Sequence, residues 1–289
     1  MMRDLDHFVM PVSSLAVARG RLTALGFTVS PDARHPFGTE NCCVFMSDGS
    51  FIEPLAIGDE AAYIRAIDAE NTFVKGHHNF CAARNSEGFS HLVVKSSNAR
   101  ADHAEFIKSG ISGGDIVDFG RKFVKADGTD AEVAFSLAFA REPNSPDTTF
   151  FACQVVKSVP GGRGALVEHA NGALRTKRVL ILAHEPKRFA GFLGQFFKGG
   201  AADTSGGITF SLPGGNVDVL EPDASQDKYG LVRKPDRGMH LSALVLQVAD
   251  LTLTRDLLAK NSVSVQDRQN RIIVPPSLQG QGGTIVFEE

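Results

Sequence analysis

Apolar and polar positions along the chain repeat one pattern: an apolar strand, an amphipathic helix, a small-residue turn, then further strands. In the first unit, Leu5 to Val12 reads as a strand. Ser13 and Ser14 are good N-caps for a helix through Leu25, with Leu15, Ala18, Leu22 and Leu25 on one face and Gly26 ending it. Phe27 to Ser30 begins another strand, and Asn41 to Met46 and Phe51 to Ile57 form a hairpin around Ser47-Asp48-Gly49-Ser50. The second unit has a strand at Phe89 to Lys95, a helix from Asn98 to Ser109 stopped by Gly110, and strands over Asp115 to Lys125, Ala131 to Ala140 and Thr148 to Val156, with a turn at Asp127-Gly128.

A third unit opens at Arg178 to Ala183, with a helix over Pro186 to Phe197 and a hairpin, Ile208 to Leu212 and Val217 to Leu220, turned by Pro213-Gly214-Gly215; its remaining strand has the weakest signal. The fourth has a strand at Leu241 to Val248, a helix from Leu251 to Lys260 capped by Asp250, and strands over Val263 to Val265, Arg271 to Val274 and Thr284 to Phe287. About four β-α-β-β-β units therefore account for the chain, an internal repeat that defines an α+β class. Asp59 to Lys75 reads as a helical insertion, and the halves meet near residues 158–176.

Three apolar runs each carry a metal-type ligand: Leu5-Asp6-His7-Phe8-Val9-Met10, Phe51-Ile52-Glu53-Pro54-Leu55 and Phe89-Ser90-His91-Leu92-Val93-Val94. A charged carboxylate on an oily strand is costly to bury unless something pairs with it. Two imidazoles and one carboxylate from three strands suit a divalent cation with open positions. Taken alone, His7 would read as a structural histidine; the three positions together favour ligation. His35 lies in a Gly/Pro-bounded loop, where it reads as a solvated residue or as an acid/base or substrate donor reaching the cavity. His77 and His78 read as solvated linker residues, and His169-Ala170-Asn171-Gly172 as a plain turn or a cap on the cavity. Pro160-Gly161-Gly162-Arg163-Gly164 follows a strand but lacks phosphate-loop spacing, and no nucleophile triad stands out.

The bulk composition narrows partners. The 289 residues carry a net charge of −3, 22% charged and 43% hydrophobic positions, which gives no electrostatic ground for nucleic acid. No apolar run approaches a membrane span, and the opening Met1-Met2-Arg3-Asp4-Leu5-Asp6 lacks the hydrophobic region of a secretory signal. Cys42, Cys43, Cys81 and Cys153 form no CxxC pair and read as reduced thiols of a cytoplasmic protein. With no Trp and 21 Phe, the cores are expected to be built on Phe and aliphatic side chains.

The repeat and several phrases resemble the vicinal-oxygen-chelate superfamily, specifically its glyoxalase-like members. Those phrases are Leu5-Asp6-His7-Phe8-Val9 with Leu25-Gly26-Phe27-Thr28-Val29, His35-Pro36-Phe37-Gly38-Thr39-Glu40-Asn41 before Phe51-Ile52-Glu53, and Phe150-Phe151-Ala152-Cys153-Gln154 before Glu168-His169-Ala170-Asn171-Gly172-Ala173. The resemblance implies modules pairing into half-open mixed β-barrels flanked by helices. It divides the chain into a metal-binding half, 1–165 (modules 5–57 and 89–156), and a degenerate half, 176–289 (modules 178–221 and 241–289). It implies metal ligands His7, Glu53, His91 and Gln154, the last where Glu is usual, with Phe150, Ala152 and Gln154 sharing a face. Pro54 implies an edge or bulge beside Glu53. In the second half Ala243 and Leu180 fall at the ligand positions, with His240 and Glu288 out of step.

The implied function is a metal-dependent lyase or isomerase acting on a small molecule that chelates through two vicinal oxygens, with Glu53 or His35 as base and Ni, Zn, Mn or Fe as cofactor. The alternatives are an extradiol-type Fe(II) dioxygenase and a metal-free small-molecule binding protein of the same fold. Expected partners are a small-molecule substrate and, as an assembly, a homodimer.

Overall fold

The computed structural model describes residues 2–84, 87–124, 130–158, 162–231 and 238–289. The first module comprises β1 (Leu5–Pro11), α1 (Leu15–Ala24), β2 (Ala33–Arg34), β3 (Thr39–Asn41), β4 (Val44–Phe45) and β5 (Phe51–Ile57). Two inserted helices, α2 (Glu60–Asp68) and α3 (Thr72–Arg84), lead to the second: β6 (His91–Lys95), α4 (Ala99–Lys108), β7 (Val117–Val124), β8 (Asp130–Ala140) and β9 (Thr149–Lys157). The third holds β10 (Ala173–Leu182), α5 (Ala190–Phe197), β11 (Ala202–Thr204), β12 (Gly207–Leu212) and β13 (Gly215–Leu220). After α6 (Pro222–Tyr229) the fourth holds β14 (His240–Val248), α7 (Leu251–Lys260), β15 (Gln266–Arg268), β16 (Arg271–Val274) and β17 (Thr284–Glu288).

The four modules pair two by two into curved sheets. In one the order is β2-β3-β5-β1-β6-β9-β8-β7, with β4 also on β5; in the other it is β11-β12-β13-β10-β14-β17-β16-β15. Within each module the first and last strands are parallel, β1 with β5 and β6 with β9, while the two modules meet antiparallel at β1 and β6. The second sheet repeats this plan, with β10 parallel to β13, β14 parallel to β17, and β10 antiparallel to β14. A parallel return needs a crossover, and the helix of each module supplies it. The fold is thus α+β, with paired βαβββ modules forming half-open barrels.

The helices explain where the core sits. One face of each central strand packs against helices lodged between the two sheets, in a single apolar cluster. It includes Phe8, Met10, Leu92 and Phe150 of the first sheet, Leu22 of α1, Phe106 of α4, Phe196 of α5, and Ile181, Leu246 and Phe287 of the second sheet. Phe150 meets Phe192 and Phe196 edge-on, with ring centroids 5.1 and 5.4 Å away. The opposite faces line two separate cups with apolar clusters of their own. Because the central strands are buried on both faces, they read as near-continuous apolar runs instead of alternating ones.

Several expectations shift. Residues 27–30 form no strand; Ser30 instead exchanges hydrogen bonds with Cys43, accepting its N–H on Oγ and donating N–H to its carbonyl. The second half's first strand begins at Ala173. The turn before it is a clasp: Asn171 Nδ2 donates to the Leu25 carbonyl at 2.8 Å, where Gly26 at φ +86° ends α1. His169 bridges Thr28 N–H and the Phe45 carbonyl, so it does not cap the cavity. Pro54 sits in an inner strand, but opposite the break where β3 ends and β4 begins, so its missing N–H breaks no ladder bond. The expected turn Asp127-Gly128, Lys125, and Pro160-Gly161 lie outside the described residues. Among the described residues no helix is long and apolar enough to cross a membrane.

One core shared by both sheets predicts one cooperative unfolding transition. Phe150→Ala should lower stability by about 3–5 kcal/mol through the cavity it leaves, and denaturant melts followed by circular dichroism should still show a single transition. Two separate transitions in the wild type would contradict the shared core.

Candidate active site

The first cup takes in His7, Glu53, His91 and His35 of the sequence-predicted residues, but not Gln154. Strand register places His7, Val9, Glu53, Val93, His91 and Phe151 on its inner face: Val9 pairs with Glu53 and with His91, His7 with Phe51 and with Val93, and Val93 with Phe151. His7 and Glu53 meet, Nε2 to Oε2 at 3.3 Å, both buried. His35, from the loop after β2, brings its Nε2 to 3.9 Å from Glu53 Oε1, and Asn41 Nδ2 donates to that same oxygen. Arg121 Nη1 in turn donates to Asn41 Oδ1 at 3.3 Å.

The other end of His7 is held by Asp6, Nδ1 to Oδ2 at 2.7 Å. Adjacent strand residues ordinarily face opposite ways. Here Leu5 pairs with Val94 and His7 with Val93, so Asp6 is the extra residue of a β-bulge. The bulge turns its carboxylate back toward its neighbour's ring. His7 is further fixed by Phe51, stacked at 4.4 Å, and by the edge of Phe151 at 5.5 Å.

His91 shares the face but not the contact. Its ring lies beyond Phe151 (5.9 Å between centroids) and Phe73 (5.4 Å), which separate it from His7 and His35. Its Nδ1 is 2.6 Å from Ser90 Oγ, whereas Nε2 is buried without a formed hydrogen bond among the described residues, beneath Gly76 and near the Phe73 backbone. A methyl group at Gly76 would sit 3.0 Å from that nitrogen and 2.6 Å from Thr149 Oγ1.

Gln154 points elsewhere, correcting the expected ligand set. Its Oε1 accepts from Ala99 N–H at 2.9 Å, capping the first turn of α4 on the helix-facing side of β9. The register equivalent of Glu53 in the second module is Phe151.

Burial and pairing set the charges. Burial alone would lower His7, but hydrogen bonds and charge from Asp6 and Glu53 outweigh it and raise its pKa to about 9. Burial would raise Glu53, yet the hydrogen bond and charge of His7, with His35 and Asn41, bring it down to about 2. His35 is lowered to about 4, chiefly by burial, and His91 to about 3 for the same reason with His77 adding repulsion. These residues by themselves therefore favour an imidazolium at His7 between the Asp6 and Glu53 side chains, beside a neutral imidazole at His35.

The insertion covers the cup. Tyr63 and Ala66 of α2 and Phe73 and Val74 of α3 pack with Phe37, Phe139 and Phe151 over its floor. His77, read as a solvated linker residue, is buried on α3; its Nδ1 is 2.7 Å from Tyr63 Oη, and its Nε2 3.7 Å from Cys81 Sγ. The signal that could have found it is the stripe Phe73, Val74, His77, Phe80 at helical spacing. Asp6 had no such signal, because a bulge is a property of pairing.

The donor set has the chemistry of a cation site. Two imidazoles and one carboxylate, with Asp6 orienting His7 from behind, are the right chemistry. The set that converges, however, is His7, Glu53 and His35, and among the described residues no group of three or more His, Cys, Asp or Glu is arranged to hold a metal ion. The fit is one of chemistry at His7 and Glu53, with the third donor still to be brought in.

Paired βαβββ modules cupping inward-facing His and Glu define a vicinal-oxygen-chelate fold. The chain belongs to the family described as a glyoxalase-like domain, whose model matches residues 5–197. Among solved structures it is similar to a hypothetical protein from Staphylococcus aureus (TM-score 0.65, 10% identity, 99% of each chain covered). It is also similar to a mutant of 4-hydroxymandelate synthase from Streptomyces coelicolor (TM-score 0.63, 13% identity, 99% of this chain and 92% of that one). A xylose isomerase-like TIM barrel/4-hydroxyphenylpyruvate dioxygenase fusion protein matches with TM-score 0.56 and 11% identity, over 100% of this chain and 49% of that one. At these identities the likeness is one of fold. No curated protein matches the sequence.

The pKa shifts give stability an optimum. Between about pH 4 and 6.5 the unfolded chain binds protons at His35, His77 and His91 that the folded chain refuses, so stability rises with pH. From 6.5 to about 9 the folded chain keeps the His7 proton that the unfolded chain releases, so stability falls. Urea midpoints of metal-free protein across pH 5 to 9 should trace this maximum, and His7→Gln should flatten the decline between about pH 6.5 and 8, above which the four thiols, raised by burial, add a decline of their own. An unaltered alkaline limb in that variant would refute the His7 assignment.

Proposed function

We propose that the first cup binds a divalent cation through His7 and Glu53 and acts on a small molecule that offers two vicinal oxygens, as a lyase or isomerase. The observation carrying this is the Asp6–His7–Glu53 line: a carboxylate fixes the proton on Nδ1, which leaves Nε2 as the donor aimed at Glu53. A bound divalent cation would supply a Lewis acid that acidifies the substrate group it touches and stabilises the developing oxyanion. His35 is the third donor nearest to Glu53, and His91 the alternative if the aromatic wall of Phe73 and Phe151 rearranges.

The remaining residues divide the work. Glu53, held as a carboxylate with a pKa of about 2, is a poor proton acceptor and serves as the anionic anchor. His35 is neutral, its Nδ1 fixed against Thr39 Oγ1 at 2.8 Å, and its Nε2 faces the site; where His91 completes the ligand set instead, His35 is the better base. Phe37, Phe73 and Phe119 pack around it and exclude water. A groove of about 540 Å³ runs past Phe37, Ala66, Thr72 and Val117. Phe37 stacks on His35 at 5.1 Å and thus separates that groove from the site, so its displacement would admit substrate.

One observation favours a second reading: the cup is packed with aromatic side chains down to the polar floor, as suits a metal-free receptor for a flat apolar ligand.

Elemental analysis separates the two. Protein purified without chelator, or reconstituted with Ni, Mn, Zn or Fe, should carry about one equivalent of metal and gain thermal stability. Glu53→Gln should lose at least ten-fold in metal affinity, with Gln154→Ala unaffected. Equal metal content in wild type and Glu53→Gln would sink the metalloenzyme reading. Oxygen consumption dependent on added Fe(II) would replace the lyase with a dioxygenase.

A further inference from the structure

The second cup has kept the construction of the first and changed its charges. In β10, Thr176 pairs with Leu246 and Arg178 with Val245, so Lys177 is the extra residue of a bulge at the same register as Asp6. Arg178 then stands where His7 does, and Asp218, paired with Leu180, stands where Glu53 does. The family resemblance implies Leu180 at the ligand position; register moves it two residues, to Arg178. Ala243 does occupy the place of His91.

Here the carboxylates are consumed in holding cations. Asp218 accepts from Arg178 Nη1 at 2.8 Å on one oxygen and from Thr209 Oγ1 at 2.6 Å on the other. Glu288 accepts from Arg271 Nε at 2.6 Å on one oxygen and pairs with Lys177 Nζ at 3.0 Å on the other. Arg271 also lies 4.9 Å over the Tyr229 ring. These contacts fix two guanidinium groups beside a cavity of about 290 Å³, which Lys228 lines as well. Among the described residues three cationic side chains thus border it against the single carboxylate of Asp218, and Arg178 Nε is buried without a hydrogen-bond partner. Such a surface, with Thr204, Asn216 and Tyr229 as neutral hydrogen-bonding groups, is built for a small anion.

We propose that the C-terminal cup is a binding site for a small organic oxyanion, a phosphate or carboxylate on a hydroxylated body, held by Arg178, Arg271 and Lys228. Guanidinium groups pre-positioned by Asp218 and Glu288 lose little freedom when the ligand arrives. The site is separate from the His7–Glu53 floor and does not depend on its chemistry.

Calorimetric titration of the full chain at low salt with inorganic phosphate, and separately with malonate, tests this. One saturable site is expected for at least one probe. Phosphate binding the tighter assigns a phosphorylated ligand, and malonate the tighter a carboxylated one. Arg271→Gln and Lys228→Gln should each weaken binding by about ten-fold or more, while Glu53→Gln leaves it unchanged. Lys228 is half-buried and pairs only with the Ser205 carbonyl among the described contacts, so its variant carries the test if Arg271→Gln fails to fold. No saturable binding of either probe, equal binding in the Lys228 variant, or loss on Glu53→Gln would overturn the proposal.

Discussion

The need to neutralise a carboxylate buried on an apolar strand organises the N-terminal half. Glu53 sits among Ile52, Leu55 and Val9, where an unpaired charge would be untenable. Its answer is His7, itself charged because Asp6 stands behind it. That line requires β1 beside β5 in one register and a bulge at Asp6. The strands cannot slip without parting the charges.

Around that polar line the cup is aromatic. Phe73 from the inserted α3 meets His35, Phe37, His91 and Phe151, so one side chain decides which imidazoles reach Glu53 and which stay apart. The same insertion buries His77 and closes the face that a substrate would approach. Chemistry at the floor and access to it are thus governed by different segments of chain.

The two halves show how a repeated scaffold carries different electrostatics. A bulge at the same register offers Asp6 and His7 in one cup and Lys177 and Arg178 in the other. The partner strand supplies Glu53 in the first and Asp218 in the second. Along the bulge line of the first cup two carboxylates, Asp6 and Glu53, flank one cation, His7; in the second cup the cations lead.

Much of this was legible in the chain. The repeated strand–helix–strand pattern determined the modules: α1, α4 and α7 start at the side-chain caps Ser14, Asn98 and Asp250, and α5, which lacks one, still carries an apolar face for the core. A glutamate within Phe51-Ile52-Glu53-Pro54-Leu55 determined that some cationic or metallic partner must exist. Which partner was decided only by the tertiary structure. β9 buries Phe150 and Phe151 on opposite faces, so alternation could not tell which side Gln154 would take. Asp6 reached His7 through a bulge, and His91 was set apart by the rings of Phe73 from the inserted α3 and Phe151 from β9. Local pattern determines which residues are buried; register and packing, set by partners distant in sequence, determine which buried groups meet.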